Sequence, residues 1–142
     1  MATAVEAKID DALLARLAAL TFSPAIPVAY PNVAFTPPAG RHFRAFIFRN
    51  PTDRTAFRTR VLNGIMQVSV YSPLNEGPKP ADELAGAIVA HFDPSLPWLT
   101  SEGVTVRMDP GKPPYAGSAM RDPDAAYWMV PVTINWFAQI NS

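Results

Sequence analysis

Sixteen of the 142 residues are proline, about twice the usual ~5% share of a chain. Proline lacks a backbone N–H and breaks helix interiors, so helices must be short and strands must use positions that need no donor. The sequence therefore predicts strands and loops with a few short helices. Five of the prolines (Pro24, Pro27, Pro31, Pro37 and Pro38) fall between residues 24 and 40. Between them Ile26, Val28, Tyr30, Val33 and Phe35 form an extended segment that is apolar on one side. This Pro-rich arm, 24–40, belongs at a sheet edge.

The other elements follow from periodicity. Val5, Ile9, Leu13 and Leu17 recur every four residues, with Leu14 and Leu20 widening the stripe, so the chain opens with an amphipathic helix. Thr3 and Glu6 have the spacing of a capping box at its start. Residues 42–48 read as a strand, with Phe43, Ala45 and Ile47 on one face and Arg44, Phe46 and Phe48 on the other. A polar, turn-rich loop, 49–60, leads to a second strand at 61–72, where Met66, Val68 and Val70 alternate with Gln67, Ser69 and Tyr71. Gly64 within it suits a bulge or a close backbone approach.

A second helix, 81–92, carries Leu84, Ile88 and Phe92 at fourfold spacing, and Pro80 stands near its start. Strands at 103–109 and 126–137 follow, separated by a loop with four prolines, and Pro131 argues that the last strand is an edge or bulged. The order is α-β-β-α-β-β. It predicts one α+β domain over residues 1–142: an antiparallel, mixed-edge sheet of about four main strands with two helices on one face. Leu13, Leu17, Leu84, Ile88, Val68, Val70, Val106 and Val132 should share its core.

Leu, Ile, Val and Phe supply about a quarter of the chain, above the roughly 20% below which disorder is expected. With no cysteine, disulfides, thiolate metal sites and cysteine nucleophiles are excluded, and a reducing compartment suits the composition. No apolar run approaches membrane-spanning length, and the opening MATAVEAKIDD has no apolar signal-peptide core, so neither feature is expected. The formal net charge is zero, whereas general nucleic-acid binders are basic.

The catalytic signatures are missing. Ser118 is not in a G-x-S-x-G elbow. Gly111-Lys112 lacks both the first glycine and the Ser/Thr of a phosphate loop, so Gly-Lys-Pro-Pro reads as a turn. His42 and His91 belong to no metal motif, and His91 is placed to complement the end of the second helix. The close carboxylates, Asp82/Glu83 and Asp122/Asp124, sit in a first helical turn and a loop turn. No catalytic, cofactor or metal residue is expected.

One charge feature remains. Arg41, Arg44, Arg49, Arg54, Arg58 and Arg60 face Asp53 alone across residues 41–60. That stretch is either a solvated hairpin loop or a docking surface for an acidic partner or nucleic acid.

Several stretches together resemble the phage tail-terminator-like (tail completion) proteins of siphophages, prophages and gene transfer agents. They are the helix 14–20, Pro-Val-Ala-Tyr-Pro-Asn-Val-Ala-Phe-Thr-Pro-Pro (27–38), Gly-Ile-Met-Gln-Val-Ser-Val-Tyr-Ser-Pro (64–73), Ala90-His91-Phe92, Gly-Val-Thr-Val (103–106) and Trp-Met-Val-Pro-Val-Thr-Ile (128–134). The resemblance spans most of the chain and implies a non-enzymatic virion protein. It implies a homohexameric ring that caps the tail tube, stops its polymerisation and meets the head-completion (neck) protein. The implied location is the head-proximal end of the tail, after assembly in the bacterial cytoplasm. DNA would be passing cargo only, with no cofactor and no membrane partner. The interface candidates are Ile26, Val28, Tyr30 and Phe35 of the arm and Arg49, Arg54, Arg58 and Arg60 of the hairpin loop. The competing readings are another neck or tail-completion protein, a nucleic-acid-binding module using the arginine loop, and a small cytoplasmic enzyme with no visible site.

Overall fold

A computed structural model describes residues 4–23, 25–51, 53–56, 59–95, 99–101, 103–121 and 127–141. The elements are α1 (Val5–Ala18), β1 (Val28–Ala29), β2 (His42–Arg49), β3 (Asp53–Ala56), β4 (Thr59–Pro73), α2 (Lys79–His91), β5 (Leu99–Ser101), β6 (Val104–Met108), β7 (Tyr115–Ala116), β8 (Met120–Arg121) and β9 (Tyr127–Asn141).

The spine is the antiparallel pairing of β4 with β9, unbroken from Thr59↔Asn141 to Pro73↔Tyr127. β2 flanks β4, and β6 followed by β5 flanks β9, giving the order β1-β2-β4-β9-β6-β5. β3 continues alongside β4, while β7 and β8 pair with β9. The α+β class and the two expected hairpins are present, but the sheet has more strands than the four expected. β3 arises in the stretch read as a loop, β7 and β8 in the proline loop, and β5 before the third expected strand. The sheet is mixed because β1 runs parallel to β2, with Val28 opposite Phe43. That places the arm at a sheet edge, where its prolines interrupt no interior ladder.

At Pro131 the bulge alternative holds and the edge does not: from Tyr115↔Thr133 to Met120↔Met129 the facing chain carries one residue more than β9. Pro131 stands in the first third of the central strand β9, opposite Ser69 of β4. Its carbonyl accepts from Gly117 N–H at 2.7 Å, so its backbone edge faces away from β4. There β7 and β8 pair with β9 on either side of it, leaving the 117–119 connection opposite. The missing donor faces a gap in the ladder. Gly117 permits this approach, since a Cβ there would lie 3.1 Å from Pro131 Cγ.

Both helices lie on one sheet face. α1 buries Ile9, Ala12, Leu13 and Leu17, and α2 buries Ala81, Leu84, Ala85 and Ile88. These pack with Met66, Val68 and Val70 of β4, Val104 and Val106 of β6, and Val130, Val132, Ile134 and Trp136 of β9 in one core. All eight residues expected in the core are there. The expected capping box is replaced: Ala4 is the N-cap of α1 without a side-chain bond, and Thr3 lies outside the described residues. Pro80 falls within the first two positions of α2, as expected.

The helix ends are clasped to one another. Arg16 donates from Nε and Nη2 to the His91 carbonyl at 3.1 and 3.0 Å, and His91 Nε2–H donates to the Arg16 carbonyl at 2.6 Å. His91 thus satisfies the end of α1 rather than its own helix, and Arg16 does the reverse. Gly64 admits a close approach, as its spacing suggested. A Cβ there would run into the Phe48 carbonyl and lie 3.0 Å from Trp136 Cζ2.

Beyond β1 the arm folds over the end of the opposite, outer sheet face. His42, 1% exposed, stacks on Tyr71 at 4.8 Å, meets Tyr127 edge-on at 4.9 Å and lies 5.7 Å from Phe35 of the arm. Its Nδ1–H donates to the Gly40 carbonyl at 3.2 Å, and the Tyr127 hydroxyl donates to the Pro38 carbonyl. Burial holds the His42 imidazole below its ordinary pKa, and the nearby Arg44 adds to that effect against the Gly40 bond.

Two outcomes follow. Ile88→Ala should lower unfolding free energy by about 2–5 kcal/mol in denaturant titration, and a loss under about 0.5 kcal/mol would contradict the core assignment. Because His42 is held neutral in the fold, the unfolded chain takes up a proton first as pH falls. The stability His42 supports above pH ~6.5 is then lost on acidification. Melting temperature should fall from pH 7.5 to 5.5, and His42→Phe should flatten that decline; equal slopes in both proteins would contradict the placement.

Candidate interaction surfaces

Both histidines and the Asp82/Glu83 pair are engaged in local structure. His42 and His91 hold the arm and the helix ends. Glu83 lies 3.8 Å from Lys79 on α2, and Asp82 occupies the first turn, where the helix dipole favours an acid. Asp122 and Asp124 lie outside the described residues. Among the described residues no three His, Asp or Glu side chains converge as metal ligands.

The arm candidates are half-buried against their own subunit. Ile26, Val28 and Tyr30 pack onto the core, and Phe35 lies against His42 with the Arg44 guanidinium 5.9 Å above its ring. Asn32, at φ 55°, sits in a turn of the arm, and Val33 beside it is open, 62% exposed. The apolar area of the arm is therefore partly spent within the subunit.

The arginine candidates separate. Arg49 continues the alternation of β2 onto the helix-bearing face, where Nη2 meets Asp10 Oδ2 of α1 at 2.5 Å. Burial pushes the Asp10 carboxyl above its ordinary pKa against the pull of Arg49, and Asp10 Oδ1 is buried without a partner among the described residues. Arg54 lies on β3, whose register sets it opposite Arg60 of β4. Arg60 is half-buried with no ion pair among the described residues, and Arg58 lies outside them. Arg41 is tied to Glu76 at 3.4 Å.

The sequence did not single out the surface that the fold leaves most open. On the face away from the helices, register aligns Phe48, Ile65 and Asn135 in one row, and Asn63 with Phe137 in the next. Phe46 and Phe48 are 47% and 52% exposed, with ring centroids 6.4 Å apart. β1 covers the outer edge of β2 only at Phe43 and Arg44. The alternation of 42–48 already placed both phenylalanines opposite the core. The asparagines gave no local signal, because only strand pairing brings Asn50, Asn63 and Asn135 together.

A family model described as phage tail terminator protein matches residues 8–136. A solved structure that carries no functional name is 29% identical, with a TM-score of 0.70, over 97% of this chain and 95% of its own. A chain from the virion of a native gene transfer agent (GTA) particle is 17% identical, with a TM-score of 0.59, over 99% of this chain and 100% of its own, and shares the fold. No curated protein matches. The match over nearly the whole domain, on the α+β scaffold described above, shows that the chain belongs to the phage tail terminator protein family, a family of tail structural proteins.

Proposed function

We propose that this protein forms a sixfold ring that caps the finished tail tube, stops its polymerisation and presents the surface that joins the head. The family match over residues 8–136 carries the reading. A cyclic ring repeats one heterologous interface, so each subunit needs two different complementary surfaces. The arm, with Ile26, Val28, Tyr30 and Phe35 behind the exposed Val33, supplies one. The hairpin carrying Arg49, Arg54, Arg58 and Arg60 supplies contacts to a neighbouring subunit, the tube or the head-completion protein. Arginine suits such contacts because its fork pairs bidentately with carboxylates. A lumen dense in arginine would grip the phosphates of DNA passing at ejection, so these side chains face protein.

Light scattering and negative-stain images of the purified protein test the ring. A closed particle of six chain masses is expected, and a monomer at every concentration tried would overturn the reading. Val33→Asp and Arg60→Ala are surface changes that should leave stability within about 0.5 kcal/mol. Val33→Asp is expected to lower the particle mass. Arg60→Ala is expected to weaken ring formation or tube capping without creating or removing DNA binding. A ring that assembles and caps normally in both variants would remove the arm and the hairpin from the interfaces.

A further inference from the structure

We propose that residues 31–41 of the arm form a clasp that lifts off the end of the outer sheet face when His42 is protonated, while the sheet beneath stays folded. The arm is lightly attached. Residues 31–41 belong to no strand, and all of them except Pro31, Phe35 and Pro38 are exposed. Their hold on the outer face gathers at one place. The Phe35 ring lies 5.7 Å from the His42 ring, the Gly40 carbonyl accepts from His42 Nδ1–H, and the Pro38 carbonyl accepts from the Tyr127 hydroxyl. The ends of the segment suit hinges: Asn32 is at φ 55°, and a Cβ added at Gly40 would meet nothing within 4 Å. A segment with so few buried contacts can open locally at far less cost than the core.

The clasp closes around a neutral imidazole. Among the described residues, the charged and titratable groups that face His42 are Arg44 of β2, Tyr71 of β4 and Tyr127 of β9. The arm brings a phenyl ring and a carbonyl to it, and no carboxylate. Arg41 and its partner Glu76 lie instead beside Leu84 of α2, on the helix-bearing side. A proton on His42 would therefore set a second cation near Arg44 in a site that holds little water. The face of Tyr71 attracts cations, but the Arg44 guanidinium already lies 5.9 Å from that ring. Lifting the arm returns water to the side of the imidazole that Phe35 and Gly40 cover, so the open state takes the proton more readily. Burial is the largest cause holding the closed-state pKa down; the Gly40 bond opposes it and Arg44 adds to it. Above pH ~6.5 both states are neutral and the arm stays down. Below that, opening gains up to about tenfold per pH unit until the closed state's own pKa is reached. This linkage is local, because the β4–β9 ladder does not run through the arm. Opening bares the Tyr71 and Tyr127 rings, so pH decides which surface this end of the sheet offers.

The chain has no cysteine, so Ala39→Cys, at an exposed position, takes a nitroxide label at one place in the full-length protein. The spin-label line shape reports arm mobility, circular dichroism reports the sheet, and imidazole NMR resonances report the titration of His42. Between pH 7.5 and 5.0 the mobile-to-immobile ratio should rise about threefold or more, reversibly, with the circular dichroism unchanged. Its midpoint should coincide with that of the His42 ring. His42→Phe keeps an aromatic ring but cannot titrate, and its label should stay immobile throughout; if that variant does not fold, the two midpoints in the parent decide. A label still immobile at pH 5.0, a midpoint apart from that of His42, the same opening in His42→Phe, or circular dichroism lost in step with mobility would each overturn the clasp. The clasp does not rest on the ring, and light scattering at both pH values separates the two. An immobile arm on a closed ring would contradict the clasp alone, and an arm that opens on a monomer would contradict the ring alone.

Discussion

The pairing of β4 with β9 is the constraint on which the other elements depend. Fifteen consecutive residues of each strand are in register, a ribbon roughly 50 Å long at ~3.4 Å per residue. A two-stranded ribbon is at best marginal in water, so it needs cover on one face and neighbours on its sides. The even-numbered residues of both strands turn Met66, Val68, Val70, Val130, Val132 and Ile134 toward α1 and α2, which supply the cover. β2 and β6 supply the neighbours. A one-residue slip would reverse both faces at once and place the buried valines in solvent.

Much of this was legible in the residues because burial imposes a period. The helical stripes at Ile9–Leu13–Leu17 and Leu84–Ile88, and the alternations of 61–72 and 126–137, each reported the face that met the core. Short strands carry no such signal. β5, β7 and β8 are two or three residues long and exist only because a longer strand offers them partners. β3 is polar, and the turn chemistry around Asn50 and Pro51 concealed that it continues along β4. At Pro131 the proline rule left an edge or a bulge open, and the extra residue facing it between β7 and β8 is the bulge. The physical question is which way its missing donor points, and here it points at a break between two short strands.

The surface was less legible than the core. Charge counting found the arginine hairpin but could not anticipate that Arg49 would pair with Asp10 of α1 while Arg60 has no ion pair among the described residues. The arm was located correctly, yet the aromatic cage around His42 uses part of the apolar area that made it look available. The open sheet face is a property of topology: both helices cover one side, the arm reaches only the end of the other, and the described residues leave the remainder uncovered. The fold of a chain from a gene transfer agent virion is built on the same scaffold.

A protein whose chemistry lies in its surfaces is best tested by what happens when those surfaces are missing. The most direct measurement is the distribution of tail lengths, by electron microscopy, in producing cells that lack this gene and in the same cells after its restoration. The account predicts tubes of uncontrolled length with no heads attached in the first case, and a single narrow length with heads joined in the second. Tails of normal length joined to heads in the absence of the gene would contradict it.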